Sequence, residues 1–246
     1  VISIVEVWQI VVIIFLSYLL GSIPFGYIVG KYIKGVDIRK TGSGNIGGTN
    51  VWRALGFKYG VLVFGLDIWK GALPVISIMY ILRGPWWLVG LAFLCCFLGS
   101  IFPVWLNFKG GKGVSVFLGG LLGLTGPIVC LIVFIVWLIV FVFFTRRIVS
   151  RTNLIVATAL LFLAIVIPIL SAIFPILVII VLLIWWTHRE NIGRMIEGKE
   201  HSPSNLPSFF DKLPDDVIAL GIEKLPLVIK KLQSFTEKLR SYQKKP

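Results

Sequence analysis

Acidic residues are scarce in this chain. Eleven Asp and Glu stand against 24 Lys and Arg in 246 residues, and charged residues of every kind make up 14%. A soluble domain carries about 25% charged residues, so a surface bathed in water on all sides is excluded. Histidine occurs twice and cysteine three times. Cys95, Cys96 and Cys130 all fall in apolar runs. Adjacent cysteines rarely pair and no metal-type spacing occurs, so a disulfide framework and a metal centre are both excluded. The three thiols read as packing residues.

Hydrophobic residues take the place of charge. They form 57% of the chain, and the mean hydropathy is +0.95. Several runs of about 20 residues carry no charge, the length that crosses a hydrocarbon core. The expected fold is all-α: a polytopic integral membrane helical bundle. The first apolar run is too long for a cleaved signal peptide and has no basic segment ahead of it, so it is expected to be a retained span.

The basic residues fall in clusters. Six lie between Lys31 and Lys58; Lys109 and Lys112 share one loop; Arg146, Arg147 and Arg151 form a third group; eleven more follow His188. Positive loops stay cytoplasmic, so all four clusters are expected on one side. That parity predicts about seven spans, near residues 5–30, 59–82, 86–106, 114–125, 127–144, 153–167 and 172–187, with the N-terminus outside and the C-terminus in the cytoplasm. Gly126-Pro127 supplies the turn inside the longest apolar run. Residues 114–125 are short, and either span or re-enter.

Three polar stretches interrupt the spans. The first runs from Gly35 to Arg53 and includes Ser43, Asn45, Thr49 and Asn50. Its residues 42–47 match G-x-G-x-x-G, but the preceding element is a membrane helix and not a strand, so a dinucleotide fold is rejected. The second is Phe108-Lys109-Gly110-Gly111-Lys112-Gly113. Three glycines leave backbone N–H groups open to an anion, and Lys112 adds a charge. It is not a nucleotide-binding P-loop: Leu106 stands at the first glycine position and Gly113 at the magnesium-binding Ser/Thr. The third is His188-Arg189-Glu190-Asn191, directly after the interfacial Trp185-Trp186 pair. Ser150 lies among the arginines of the third basic cluster. Asp67 and Lys70, three apart within the second span, either pair with each other or support the site from behind.

Residues 1–200 are expected to form the membrane domain and 201–246 a cytoplasmic extension. Pro203, Pro207 and Pro214 space out a linker there. Apolar positions 225, 228, 229, 232, 235, 239 and 242 then repeat at a helical period with lysines opposite. This basic amphipathic helix either lies on an anionic membrane or packs as an ordinary helix.

Taken together, Gly21-Ser22-Ile23-Pro24-Phe25-Gly26, Val36-Asp37-Ile38-Arg39 through Asn50, Phe108 to Val114, and His188 to Ile192 resemble the bacterial acyl-phosphate:glycerol-3-phosphate acyltransferase (PlsY) family over residues 15–200. The resemblance implies a multi-pass enzyme of the bacterial cell membrane, working at its cytoplasmic face in phospholipid biosynthesis. It implies acyl transfer from acyl phosphate to the 1-hydroxyl of sn-glycerol 3-phosphate, yielding lysophosphatidic acid. No cofactor, metal or nucleic acid is expected; membrane lipids are. By the same resemblance Ser43, Arg53, Lys112, His188 and Asn191 are the catalytic set. Asn45, Thr49, Asn50, Gly110, Gly111, Gly113 and Ser150 are expected to bind substrate phosphate. Neither His188 nor His201 has an Asp five positions on, which argues against the acyl-CoA-dependent glycerolipid acyltransferases.

Three positions depart from the family pattern. Ser100 follows Gly99 where the family has His, Ser150-Arg151-Thr152-Asn153 is bulkier than Ser-Leu-Ala-Ser, and Gly48 replaces Ala. They point to a divergent paralogue. The rival reading is a weak or inactive paralogue that binds phosphate compounds or tethers a partner. Transport is disfavoured, because the polar groups gather at one face and no internal repeat is evident.

Overall fold

Every regular element described is helical, as hydrocarbon demands of a chain that must satisfy its own backbone. The computed structural model describes residues 4–145 and 147–200, with side chains from Val7 onward. Arg146 and the expected extension at 201–246 lie outside the described residues. In order the helices are α1 (Ile4–Ser22), α2 (Phe25–Ile28), α3 (Gly48–Leu55), α4 (Phe57–Ile76), α5 (Trp86–Ile101), α6 (Val114–Ile139), α7 (Val149–Val166), α8 (Pro168–Ser171), α9 (Phe174–Thr187) and α10 (Arg189–Ile196).

Five apolar helical segments are long enough to cross a membrane: Val7–Ile33, Phe57–Ile81, Trp86–Leu106, Val114–Phe144 and Val149–Val166. The pair α9 and α10, bent by 52°, makes a sixth candidate. The expectation of seven differs from this range at one place. Gly126, at φ 79° and ψ 177°, breaks α6. Cys130 Sγ lies 3.9 Å from Leu118 O. Twelve residues of unbroken helix would separate those positions by about 18 Å, so the chain doubles back at Gly126. Glycine alone adopts that φ/ψ pair readily, and Pro127 then starts the second limb.

In lipid, helices associate by close backbone contact, not by hydrophobic exclusion. Gly99 of α5 lies against Tyr18 O of α1, and Gly21 of α1 against Cys96 O of α5. Gly119 of α6 lies against Ile68 O of α4, and Gly71 of α4 against Val116 O. A methyl group at any of these would overlap the neighbouring backbone. Around these seams Val75, Val89, Phe93, Phe97, Leu124, Ile180 and Ile184 form the core. Val11, Phe15, Ile135 and Val166 stay exposed, as lipid-facing side chains do.

A second, smaller core anchors the first polar stretch. Ile38, Ile46 and Val51 are buried with Val29, Val63 and Leu106. Asp37 accepts the Arg39 backbone N–H and clamps the Arg39 guanidinium, with Nη2 to Oδ2 at 2.7 Å. The Val-Asp-Ile-Arg signature is therefore a fastening: its isoleucine plugs the core and its aspartate shapes the turn. Gly48, where a methyl group would lie 2.9 Å from Gly60 O, lets α3 sit close on α4.

Candidate active site

The three polar stretches meet at one end of the bundle around a cavity of about 770 Å³. Ser43, Asn45, Thr49, Asn50, Arg53, Gly111, Lys112, Gly113, Ser150, His188 and Asn191 all line it. Gly110 does not. It is packed beneath the loop, with Pro103 and Ser100 O where its side chain would be.

Asn50 is 2% exposed and organises its own loop. Its amide donates to Ile38 O at 3.0 Å, Thr41 O at 3.1 Å and Asn45 O at 2.8 Å, and its Oδ1 accepts the Ser43 N–H at 2.9 Å. Asn50 therefore shapes the cavity wall and has no donor left for phosphate. Its work leaves the Ser43 side chain exposed at the rim. Arg53 projects from the last turn of α3.

The glycine loop corrects a second expectation. Gly110 donates its N–H to Ile101 O at 3.2 Å, and Gly111 to Ser100 O at 3.0 Å. The C-terminal carbonyls of α5 thus take the two amides read as open to an anion. The donors that remain at the cavity wall are Lys112 and the N-terminal turn of α6, whose first N–H groups have no partner within the helix. Gly113 sits at φ 75° against the Phe97 ring, a place no side chain fits. Ser100 donates its hydroxyl to Phe97 O at 2.7 Å within its own helix.

Lys112 reaches across to α10, where Nζ donates to Asn191 Oδ1. Asn191 Nδ2 donates to Ser150 Oγ at 3.2 Å and to Glu200 Oε1 at 2.5 Å. Ser150 also donates to Glu200 Oε1 at 2.5 Å, and Arg194 Nε to Oε2 at 2.8 Å. Glu200 thus ties together the starts of α7 and α10. Burial opposes its charge, but hydrogen bonds from Ser150, Asn191 and Arg194 outweigh that and hold its carboxyl below the usual range. Neither Glu200 nor Arg194 was expected from sequence. Glu200→Ala leaves three donors without their acceptor, so thermal unfolding of the purified variant is expected to show a loss of ~1–3 kcal/mol.

His188 is fully buried at the bend between α9 and α10. Its Nδ1 lies 2.8 Å from Ile184 O. A carbonyl can only accept, so Nδ1 carries the proton and Nε2 is an acceptor. Nε2 is buried and has no hydrogen-bond partner among the described residues. An acceptor of this kind at a cavity wall is left for a donor from water or a ligand.

Burial, then the neighbouring cations Arg194 and Arg53, lower the Lys112 pKa to about 8, although Glu200 opposes the shift. Its cation is therefore complete below that value and lost as pH rises through it. In steady-state assays from about pH 7 to 9.5, kcat/KM for a phosphate-bearing substrate is expected to fall about tenfold per pH unit above 8. A bound dianion restores the charge, so kcat at saturation is expected to hold further.

Fold and site together define an integral membrane helical protein with a polar cavity into which Arg53, Lys70, Lys112 and Arg194 bring positive charge. The sequence family described as Glycerol-3-phosphate acyltransferase matches residues 11–198. A glycerol-3-phosphate acyltransferase of Prochlorococcus marinus (strain NATL1A) is 42% identical over 190 residues, 76% of this chain and 95% of that protein. One from Geobacter metallireducens is 48% identical over 185 residues, covering 75% and 93%. The crystal structure of PlsY (YgiH), an integral membrane glycerol 3-phosphate acyltransferase, in its glycerol 3-phosphate form matches with a TM-score of 0.72 at 39% identity. That match covers 79% of this chain and 95% of the other. The chain belongs to the glycerol-3-phosphate acyltransferase family.

Proposed function

We propose that the chain acylates the 1-hydroxyl of sn-glycerol 3-phosphate with acyl phosphate as the donor, at the cytoplasmic face of a bacterial cell membrane. The supporting observation is the convergence of Lys112, Asn191 and the unpartnered His188 Nε2 on one cavity. Lys112 and Arg53 hold phosphate. His188 Nε2 accepts from the glycerol hydroxyl, and Asn191 keeps Lys112 in place. Ser43 hydrogen-bonds beside the reacting groups.

In the reaction the hydroxyl oxygen bonds to the acyl carbonyl carbon, the bond from that carbon to the phosphate oxygen breaks, and inorganic phosphate leaves. Acyl phosphate is a mixed anhydride with a good leaving group, so no strong protein base is required. The departing phosphate takes the hydroxyl proton, and the protein supplies position and charge. The four basic clusters in the sequence support the sidedness, because positive loops stay cytoplasmic. The fold-back at Gly126 supports a seven-limbed path in which residues 114–125, about 18 Å long, end short of the far surface.

The donor is tested with purified protein in lipid, given labelled glycerol 3-phosphate and either palmitoyl phosphate or palmitoyl-CoA. Labelled lysophosphatidic acid from the phosphate alone supports the reading. Product from the CoA ester alone overturns the donor; product from neither, with folded protein, overturns the reaction.

A further inference from the structure

The charged pair within α4 does more than neutralise itself. Lys70 Nζ lies 2.8 Å from Asp67 Oδ1, with side-chain exposures of 5% and 13%. The same Nζ donates to Ile23 O at 2.8 Å. Ile23 and Pro24 form the break between α1 and α2, where Pro24 cannot donate an N–H and the helix ladder stops. Ile23 O also accepts the Phe25 N–H at 3.1 Å in the tight turn, and with no water in hydrocarbon its second bond at the break must come from a side chain. Lys70 is that side chain, and its ammonium also lies 5.5 Å from the centre of the Phe25 ring.

The break leads directly to the site. α2 begins at Phe25, and Gly26 sits against Ile46 O with no room for a side chain. Ile46 lies inside the loop that carries Ser43 and Asn45. Gly71, next to Lys70, packs on Val116 in the first turn of α6, just past Lys112. One turn of α4 therefore touches the supports of two of the three substrate loops. Asp67 and Lys70 also line the cavity at its inner end.

We propose that Lys70 is a positioning residue for the loop of residues 42–50. By capping Ile23 O it fixes the break, the break fixes Gly26, and Gly26 fixes Ile46 and the loop. Asp67 is its counter-ion. The inference rests on reading that loop as part of the acyl-transfer site, but its structural readout is independent of the reaction.

The test compares wild type, Lys70→Met, Asp67→Asn and Asp67→Asn/Lys70→Met by amide hydrogen exchange and by steady-state turnover of folded protein in lipid. The loop has two amides held by side-chain oxygens: Ser43 N–H on Asn50 Oδ1 and Gly47 N–H on Asn45 Oδ1. Lys70→Met is expected to speed exchange across residues 41–50 while α9 stays protected, and to lower turnover about tenfold or more. The double variant removes the carboxylate that Lys70→Met strands, so it regains thermal stability. It still removes the side-chain bond to Ile23 O, so fast loop exchange and slow turnover remain. It also serves if Lys70→Met alone does not fold. Asp67→Asn keeps the bond to Ile23 and is expected to keep the loop protected. Normal loop protection in folded Lys70→Met or the double variant overturns the proposal. So does equal acceleration in α9, which marks general destabilisation, or loss of loop protection in Asp67→Asn. A loop that loosens as expected in a protein without acyl transfer sustains the positioning role and rejects the reaction.

Discussion

Lys112→Ala is expected to lower acyl-transfer turnover by ~10²–10³-fold, about 3–4 kcal/mol of transition-state stabilisation. The size follows from where the ammonium sits. It is held away from water between a glycine loop and α10 by Asn191, itself tied to Ser150 and Glu200. A cation so held needs no reorganisation when charge builds on the departing phosphate, and burial makes each interaction stronger than in water. The loss is expected in kcat as well as in KM, because the charge it balances grows as the mixed anhydride breaks. Turnover in purified protein with palmitoyl phosphate checks this. A variant with wild-type kcat and kcat/KM removes Lys112 from the chemistry.

His188→Ala is expected to cost about 10²-fold in kcat, within the range for a positioned group that orients a reacting proton. Ile184 O fixes the imidazole tautomer, so the buried Nε2 is an acceptor with no partner among the described residues, and the proposed reading gives it the glycerol hydroxyl. Because the ring is fully buried, thermal unfolding must be measured beside kinetics, with the rate compared per folded molecule. A rate unchanged on that basis makes His188 a core residue.

The sequence was most legible where chemistry and local geometry coincide. Glycines beside a lysine, asparagines among hydroxyls and a histidine just past a tryptophan pair each marked a stretch that the fold brings to one cavity. Uncharged apolar runs marked the long helices, and the difference in number sits at Gly126, where helix and turn share a continuous apolar run. What stayed hidden depended on contacts between distant elements. Gly110 and Gly111 look open in a one-dimensional string, and only the end of α5 shows that their amides are taken. Asn50 reads as a phosphate ligand until its four loop bonds are seen. Glu200, an acid ahead of a proline-rich stretch, carries no periodicity or motif of its own, yet it joins α7 to α10.

A structure of this protein with glycerol 3-phosphate bound tests the central claim most directly. The account predicts a glycerol hydroxyl within about 3 Å of His188 Nε2, inside the cavity that Arg53 and Lys112 line. A glycerol 3-phosphate seated elsewhere, or one that reaches the cavity without touching His188, contradicts it.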